Sequence, residues 1–321
     1  MTVIVIGAGM AGLLAGSMLR SECESVVEAQ PNLPNNHSAV LRFRSTAVAD
    51  TLNIPFKEVQ VMKAVKPWRN PVADAMSYSY KNTGTSTLRS ITSANGEVST
   101  RYISPPDLIE RMADCVTAPI DFGMKVDADF MTNGKGACIS TLPMPSLMKM
   151  LGWETKAGFH SVNGTNLKAR VLGMDAYFSL YVPDPDSRAS RISMTGDQLT
   201  VECPQPFDLD VDLNQPSFIN EVAESIGVRT HRVKEVEVHH QKYAKILPAD
   251  DSERKRFMLW ATEKFNIYSL GRFATWRPGL LLDDVVKDVR IIHNMINGAT
   301  AYEAKKGILN AYKSKRLSIC P

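Results

Sequence analysis

"VIVIGAGMAGLLAGSML" occupies residues 3–19, and the reading of this stretch decides where the rest of the chain goes. It is apolar, uncharged and close to the N-terminus. An export signal needs a positively charged n-region and a small-residue cleavage site, and only Met1 and Thr2 precede the run. A membrane-spanning helix needs about 20 apolar residues, whereas Gly7, Gly9, Gly12 and Gly16 interrupt this one and Arg20 ends it. The glycines follow a regular pattern instead. Four β-favouring residues lead into G-x-G-x-x-G at Gly7, Gly9 and Gly12, and "MAGLLAGSML" then reads as a helix. A second short strand, "SVVEAQ", carries Glu28, 21 residues beyond Gly7. Strand, glycine turn, helix, strand and acid form the order of a dinucleotide-binding unit. A glycine-rich helix packed tightly in a core is the plainer alternative.

Each part of the pattern has a physical use. Gly7 permits the tight turn, Gly9 has no side chain to block a pyrophosphate, and Gly12 lets the helix lie close to the strand. Ala8, Met10 and Ala11 complete the turn, whose helix N-terminus offers free N–H groups and a positive dipole end. Glu28, followed by Ala29, is placed to accept hydrogen bonds from an adenosine ribose. An acid at that point suits an unphosphorylated ribose, so NAD or FAD rather than NADP.

The chain has 321 residues, 44% hydrophobic and 22% charged, enough for one large domain or two moderate ones. A net charge of +3 weakly favours an anionic partner. The five cysteines (Cys23, Cys115, Cys138, Cys203 and Cys320) are scattered, with no CxxC pair. That pattern suggests a reduced, cytoplasmic setting with buried thiols. His239 and His240 would point to opposite faces of a strand, and no metal-binding spacing is present, so no metal is expected.

The far end of the chain separates FAD from NAD. "NIYSLGRFATWRPGLLLDDVVKDVRIIHNMI" (266–296) reads as a strand, a Gly-Arg turn and an amphipathic helix starting near Asp283. This segment resembles the C-terminal flavin-contacting piece of the amine oxidase and UDP-galactopyranose mutase superfamily of flavoproteins. The resemblance implies that Gly271, Arg272, Asp283, Asp284 and Val285 contact FAD. "GACISTLPMPSLMKMLG" (136–152) resembles the superfamily's strand and T-x-P exit from the FAD domain, which places Thr141 at the cofactor. Ahead of it, "ISPPDLIERMADCV" reads as a helix with Ser104 as N-cap and Pro105 at its first position. "IDFGMKV" reads as a strand whose backbone, at Val126, faces the adenine. The resemblance covers about residues 1–45, 100–150 and 255–300, a discontinuous Rossmann-like FAD-binding domain in an α/β chain, α+β overall. Residues 46–99 and 151–254 are then an interleaved, strand-rich substrate domain, and 301–321 a basic C-terminal tail. The chain departs from the superfamily at "NNHSAVLRFRS" (35–45), which replaces the usual glycine-rich loop.

Flavin supplies its own redox chemistry, so the residues sought are those that hold substrate. His37, Arg42 and Arg44 lie in the loop where the superfamily approaches the flavin, fit to bind a carboxylate or phosphate or handle a proton. The plainer reading is that Arg42 and Arg44 pin the FAD pyrophosphate or form an ion pair. Trp276 follows the Gly-Arg turn and is expected at the isoalloxazine region or simply packed. Tyr177 and Tyr181 share one strand face, and Arg188 and Arg191 flank a loop; all four are substrate-pocket candidates against a reading as core or solvated surface. The expected reaction is oxidation of an amine to an imine that hydrolyses, cleaving the C–N bond. Compact size and basic surfaces are similar to phage FAD lyases of thymidine hypermodification, which would imply an amino-acid-modified thymine in DNA as substrate. The tail (Lys305, Lys306, Lys313, Lys315, Arg316) and the basic stretch 228–245 form a possible DNA footprint, a solvated surface being the default. Two rivals stand beside this reading: a redox-neutral enzyme like UDP-galactopyranose mutase acting on a nucleotide sugar, and a non-catalytic flavin-binding protein.

Overall fold

The computed structural model describes residues 2–33, 40–85, 91, 96–133, 136–204 and 215–298. Two sheets organise them. The first is parallel and five-stranded, in the order β13 (Ile267–Ser269), β7 (Ala137–Ser140), β1 (Val3–Ile6), β2 (Cys23–Val27) and β6 (Ile120–Asp121). Strands from both ends and the middle of the chain therefore meet in one layer. Helix α1 (Met10–Leu19) connects β1 to β2. It is apolar nearly all round because the sheet covers one side while α4 (Leu108–Asp114) and α9 (Leu282–Ile296) cover the others. Glycine makes the close fit possible: a Cβ at Gly12 would meet the Gly7 carbonyl oxygen at 1.8 Å. Val3, Val5, Leu13, Leu14, Val26 and Ile139 fill this core, together with Val48 and Leu52 of α2 (Ala47–Leu52).

The second sheet has eight strands, in the order β12 (Val233–Ile246), β8 (Ser161–Val171), β11 (Gln198–Cys203), β10 (Arg191–Gly196), β9 (Ala176–Tyr181), β4 (Lys57–Val65), β5 (Glu97–Ile103) and β3 (Arg42–Phe43). All its pairs are antiparallel except β4 with β9. One face is apolar: Leu167, Val201 and Ile192 pack against Phe218 and Val222 of α7 (Pro216–Ser225). The alternate positions are polar. The register sets Asn166 opposite Glu202, Glu202 opposite Arg191, and Arg191 opposite Tyr181. A second row runs Lys168, Thr200, Ser193 and Ser179. A buried polar sheet face is unusual, because each group needs a partner.

Several local expectations shift. The helix expected from Ser104 begins at Leu108 with Asp107 as N-cap residue, and the Asp107 carboxylate bonds the Arg111 guanidinium at 2.9 Å. The strand expected over 120–126 stops at Asp121, because Gly123 turns the chain at φ +72 and its N–H goes to the Gln30 carbonyl. Helix α8 (Asp251–Phe265) is capped by Asp250, where "DDSERKRFMLWATEKF" reads as a helix capped by Asp251 or Ser252. Residues 71–83, within the segment assigned to the strand-rich substrate domain, form helix α3 (Pro71–Thr83), with Asn70 capping and Gly84 closing it at φ +70. Short helices α5 (Ala128–Thr132) and α6 (Met144–Met150) flank β7. Strands β3 and β5 belong to the second sheet while α2 packs on the first layer, so sheet membership cuts the chain away from positions 45 and 100. Among the described residues no helix is long and apolar enough to cross a membrane.

Candidate functional site

The glycine turn of β1 and α1 forms a cradle open on one side. Gly7 has φ +99, and a Cβ there would lie 2.2 Å from Thr141 Oγ1. Thr141 in turn donates to the Ile6 carbonyl at 2.7 Å, which ties the end of β7 to the turn. A Cβ at Gly9 would meet nothing within 4 Å. The open space thus lies over the α1 N-terminus, where N–H groups lack intrahelical acceptors. Glu28 accepts from the Ala8 N–H at 2.8 Å and from the Gln30 N–H at 2.8 Å. Its carboxylate is fixed beside the turn, each oxygen keeping capacity for one more donor. Ala29 is exposed next to it, and Val126 is partly buried against the apolar group of Ile6 and Val27. This donor and acceptor set fits the pyrophosphate and ribose of a dinucleotide.

The chain end returns to this cradle. Gly271 has φ +89, and a Cβ there would lie 2.9 Å from the Ala11 Cβ. Arg272 is therefore presented beside the first turn of α1, its guanidinium 5.7 Å from the Phe273 ring centre. Helix α9 follows. Asp284 accepts from the Leu281 N–H at 3.1 Å, a cap of its own helix. Asp283 accepts from the Ser45 hydroxyl at 2.7 Å and from the N–H groups of Ser45 and Arg44 at 3.1 and 3.3 Å. Both acids, expected at the cofactor, make their recorded bonds to the protein, and Val285 is buried beneath them. The Arg44 side chain is exposed.

Two expected site residues are accounted for by packing. Arg42 lies on β3, three strands away from β9 in the sheet order. On a flat sheet that would be about 14 Å, beyond an arginine's reach. The sheet curls, and Arg42 crosses its polar face to donate to Ser179 Oγ at 2.9 Å, Thr195 Oγ1 at 3.1 Å and the Phe178 carbonyl at 2.9 Å, as well as to the Met194 carbonyl. Burial, then the neighbouring Arg191, draws its pKa down to about 10. Its donors are committed to strands β9 and β10 rather than presented to a ligand. Trp276 is 1% exposed, donates its indole N–H to the Leu247 carbonyl at 3.0 Å, and meets Phe159 and Tyr243 edge-on. That is core packing, one of the two readings the sequence leaves for this residue. It holds φ +46, a strained value for a bulky residue. His37 lies outside the described residues.

Between the polar sheet face and the Gly271–Arg272 turn lies a cavity of about 270 Å³. Its walls include Arg191, Glu202 and Asn166 from the sheet, Tyr78 and Asn82 from α3, and Lys245 and Arg272. Arg191 and Glu202 form a salt bridge across β10 and β11. Burial alone would raise the Glu202 pKa, but the Arg191 guanidinium, with Lys245, outweighs it and holds the carboxyl below its ordinary range. Lys245 donates to the Asn82 side-chain oxygen and stands 5.7 Å from the Tyr78 ring centre. Three cations against one carboxylate leave the named charged walls net positive. Of the expected substrate residues, Arg191 lines this cavity. Tyr181 stacks edge-on against Tyr78 at 5.5 Å. Tyr177 bonds the exposed Lys57 at 2.9 Å, at the sheet's rim. Arg188 lies on the β9–β10 connection and is not among the cavity's lining residues. Glu202, Lys245, Asn166 and Asn82 were not singled out by the sequence. The alternation in "QLTVEC" marks Thr200 and Glu202 as facing away from Leu199, Val201 and Cys203, but the strands facing them are set by register.

Neither a family model nor a curated protein sequence matches the chain. Solved structures do. Reduced UDP-galactopyranose mutase superposes with a TM-score of 0.67 at 13% identity, over 94% of this chain and 96% of that one. Glycine oxidase from Bacillus cereus gives 0.54 at 14% identity, over 93% and 95%. Aklavinone-11 hydroxylase, in a complex with FAD and aklavinone, gives 0.50 at 14%, over 92% of this chain and 63% of that one. The chain thus has the fold of these flavoproteins: a Rossmann-like layer joined to a curled second sheet.

Proposed function

We propose that this protein is an FAD-dependent enzyme that oxidises the carbon–nitrogen bond of a small amine carrying an anionic group. The observation that carries the reading is the cation-rich cavity lying against the Gly271–Arg272 turn, which itself packs on the glycine cradle. The cradle, Glu28 and Arg272 would hold FAD, which when bound supplies the electron acceptor. Lys245 and Arg272 would hold the substrate's anionic group, and Glu202, kept ionised by Arg191, offers an acceptor for its amine N–H. Asn82 and Asn166 add polar contacts, and the polar sheet face closes the site from the far side. A narrower form of the proposal makes the amine an amino-acid-modified thymine in DNA. It rests on the basic stretch 228–245 and on the tail, which lies outside the described residues.

A second reading, a redox-neutral mutase acting on a nucleotide sugar, is favoured by the superposition on UDP-galactopyranose mutase. The cavity volume speaks for a compact substrate, since small-molecule sites run from about 300 to 1,000 Å³. Anaerobic addition of amines to the FAD-loaded protein separates the readings. Bleaching of the flavin absorbance by an amine alone supports oxidation. Bleaching by dithionite only, followed by sugar turnover, supports the mutase. Bleaching by neither a substrate nor a reductant supports a non-catalytic binding protein. Mass spectrometry of modified DNA after incubation tests the narrower form.

A further inference from the structure

Helix α3 and the β9–β10 connection form two walls of the cavity. Helix α3 supplies Tyr78, Ser79 and Asn82, and the connection runs into Ser190 and Arg191. Lys81 makes the principal link between them. Lys81 Nζ donates to the carbonyls of Asp184 and Ala189, each at 2.7 Å, and to that of Val182 at 3.4 Å. An ammonium has three donors, and all three go to this one connection. Ser77, a turn earlier on α3, adds a bond to the Pro183 carbonyl at 2.6 Å. The connection is also closed on itself, Val182 N–H to the Ser190 carbonyl at 2.9 Å, and Ser190 N–H is bound to the Glu202 carbonyl at 2.8 Å. A displacement at Ala189 is therefore carried directly to Ser190 and Arg191.

We propose that Lys81 is a positioning residue whose ammonium cross-links α3 to the β9–β10 connection and so sets the spacing of Tyr78 and Asn82 from Arg191 across the cavity. It is not among the residues that line the cavity. The charged and titratable groups facing it are Asp184 and Asp186 on the connection, Glu221 on α7 and Cys203 on β11, with Arg188 close to Cys203. Burial lowers the Lys81 pKa to about 8 against the pull of those carboxylates. Burial pushes the Cys203 thiol up to about 12, so it stays neutral. Because burial draws the Lys81 value below the ordinary lysine range, the closed arrangement holds the neutral amine, which keeps two donors for the carbonyls, better than a solvated one does, and the cross-link tightens as pH rises through about 8.

Amide hydrogen exchange of the FAD-loaded protein tests this with no substrate, so its outcome is separate from that of the amine reading. Between pH 7 and 9.5, corrected for intrinsic rates, the peptide spanning 182–191 of the wild-type protein is expected to gain roughly tenfold in protection. Lys81→Arg, which stays charged, should hold its protection across that range. Lys81→Met should be about tenfold or more less protected than wild type at pH 7, with no gain at pH 9.5. A wild-type profile as flat as that of Lys81→Arg would overturn the proposal, as would full protection in Lys81→Met. The wild-type profile needs no variant, so a misfolded variant leaves the test intact.

Discussion

Gly9 and Gly12 stand three residues apart in the same turn, and the structure assigns them opposite consequences. At Gly9 the backbone lies at φ −71 and ψ 171, open to any residue, and a Cβ would find nothing within 4 Å. Gly9→Val should therefore change the stability of the cofactor-free protein by less than about 1 kcal/mol, the scale of a neutral N-cap change. At Gly12 a Cβ would sit 1.8 Å from the Gly7 carbonyl oxygen. Gly12→Ala must push α1 off β1, an overpacking cost of about 1–3 kcal/mol or more. FAD separates the two positions further. A ligand at 100 times its dissociation constant adds about 2.7 kcal/mol to stability. Thermal unfolding with and without FAD should show that increment in the wild-type protein and none in Gly9→Val, whose isopropyl group fills the space meant for pyrophosphate. Equal FAD stabilisation of Gly9→Val and wild type would refute the assignment of the cradle.

Removing one partner of the partly buried Arg191–Glu202 pair, as in Arg191→Met or Glu202→Gln, should cost about 1.5–3 kcal/mol in denaturant unfolding. The double variant Arg191→Met/Glu202→Met should cost less than either single change; additive losses would show that the pair is not coupled. Gly271→Ala should cost about 1–2 kcal/mol from its left-handed backbone alone, plus the contact with Ala11. Adding Ala11→Gly should restore the contact part only, as read by thermal unfolding. Cys23, Cys138 and Cys203 are buried, and burial pushes their thiols up to about 11, 12 and 12. Iodoacetamide at pH 8 should leave these three unmodified in the folded protein while the partly buried Cys115 reacts first among the described cysteines, as peptide mass spectrometry would show.

The parts of the site legible in the sequence are those whose geometry is local. Gly7, Gly9 and Gly12 act within one turn, and Glu28 is reached by a single crossover, so spacing alone predicts their arrangement. Gly271 was legible by resemblance, and its contact with Ala11 supplies the physical reason for a glycine there. Helix α3 carried its signals, Asn70 before Pro71 and Gly84 after the last turn, yet its polar composition gives no strong period. The Asn166–Glu202–Arg191–Tyr181 row depends on cross-strand register, which the sequence of each strand does not contain. Arg42 could be placed only once the curl of the eight-stranded sheet was known, because its partners lie more than 130 residues away in the chain. Trp276 reads from the sequence either as a flavin-region residue or as packing, and its ring lies in the core on a left-handed backbone.

The central claim is that this chain binds FAD and passes electrons to it from an amine. The most direct measurement is the visible spectrum of the FAD-reconstituted protein under anaerobic titration with small amines bearing a carboxylate or phosphate. The account predicts a flavin spectrum that survives gel filtration and bleaches on adding such an amine without any other reductant. A protein that emerges colourless from gel filtration, or whose bound flavin no such amine reduces, would contradict it.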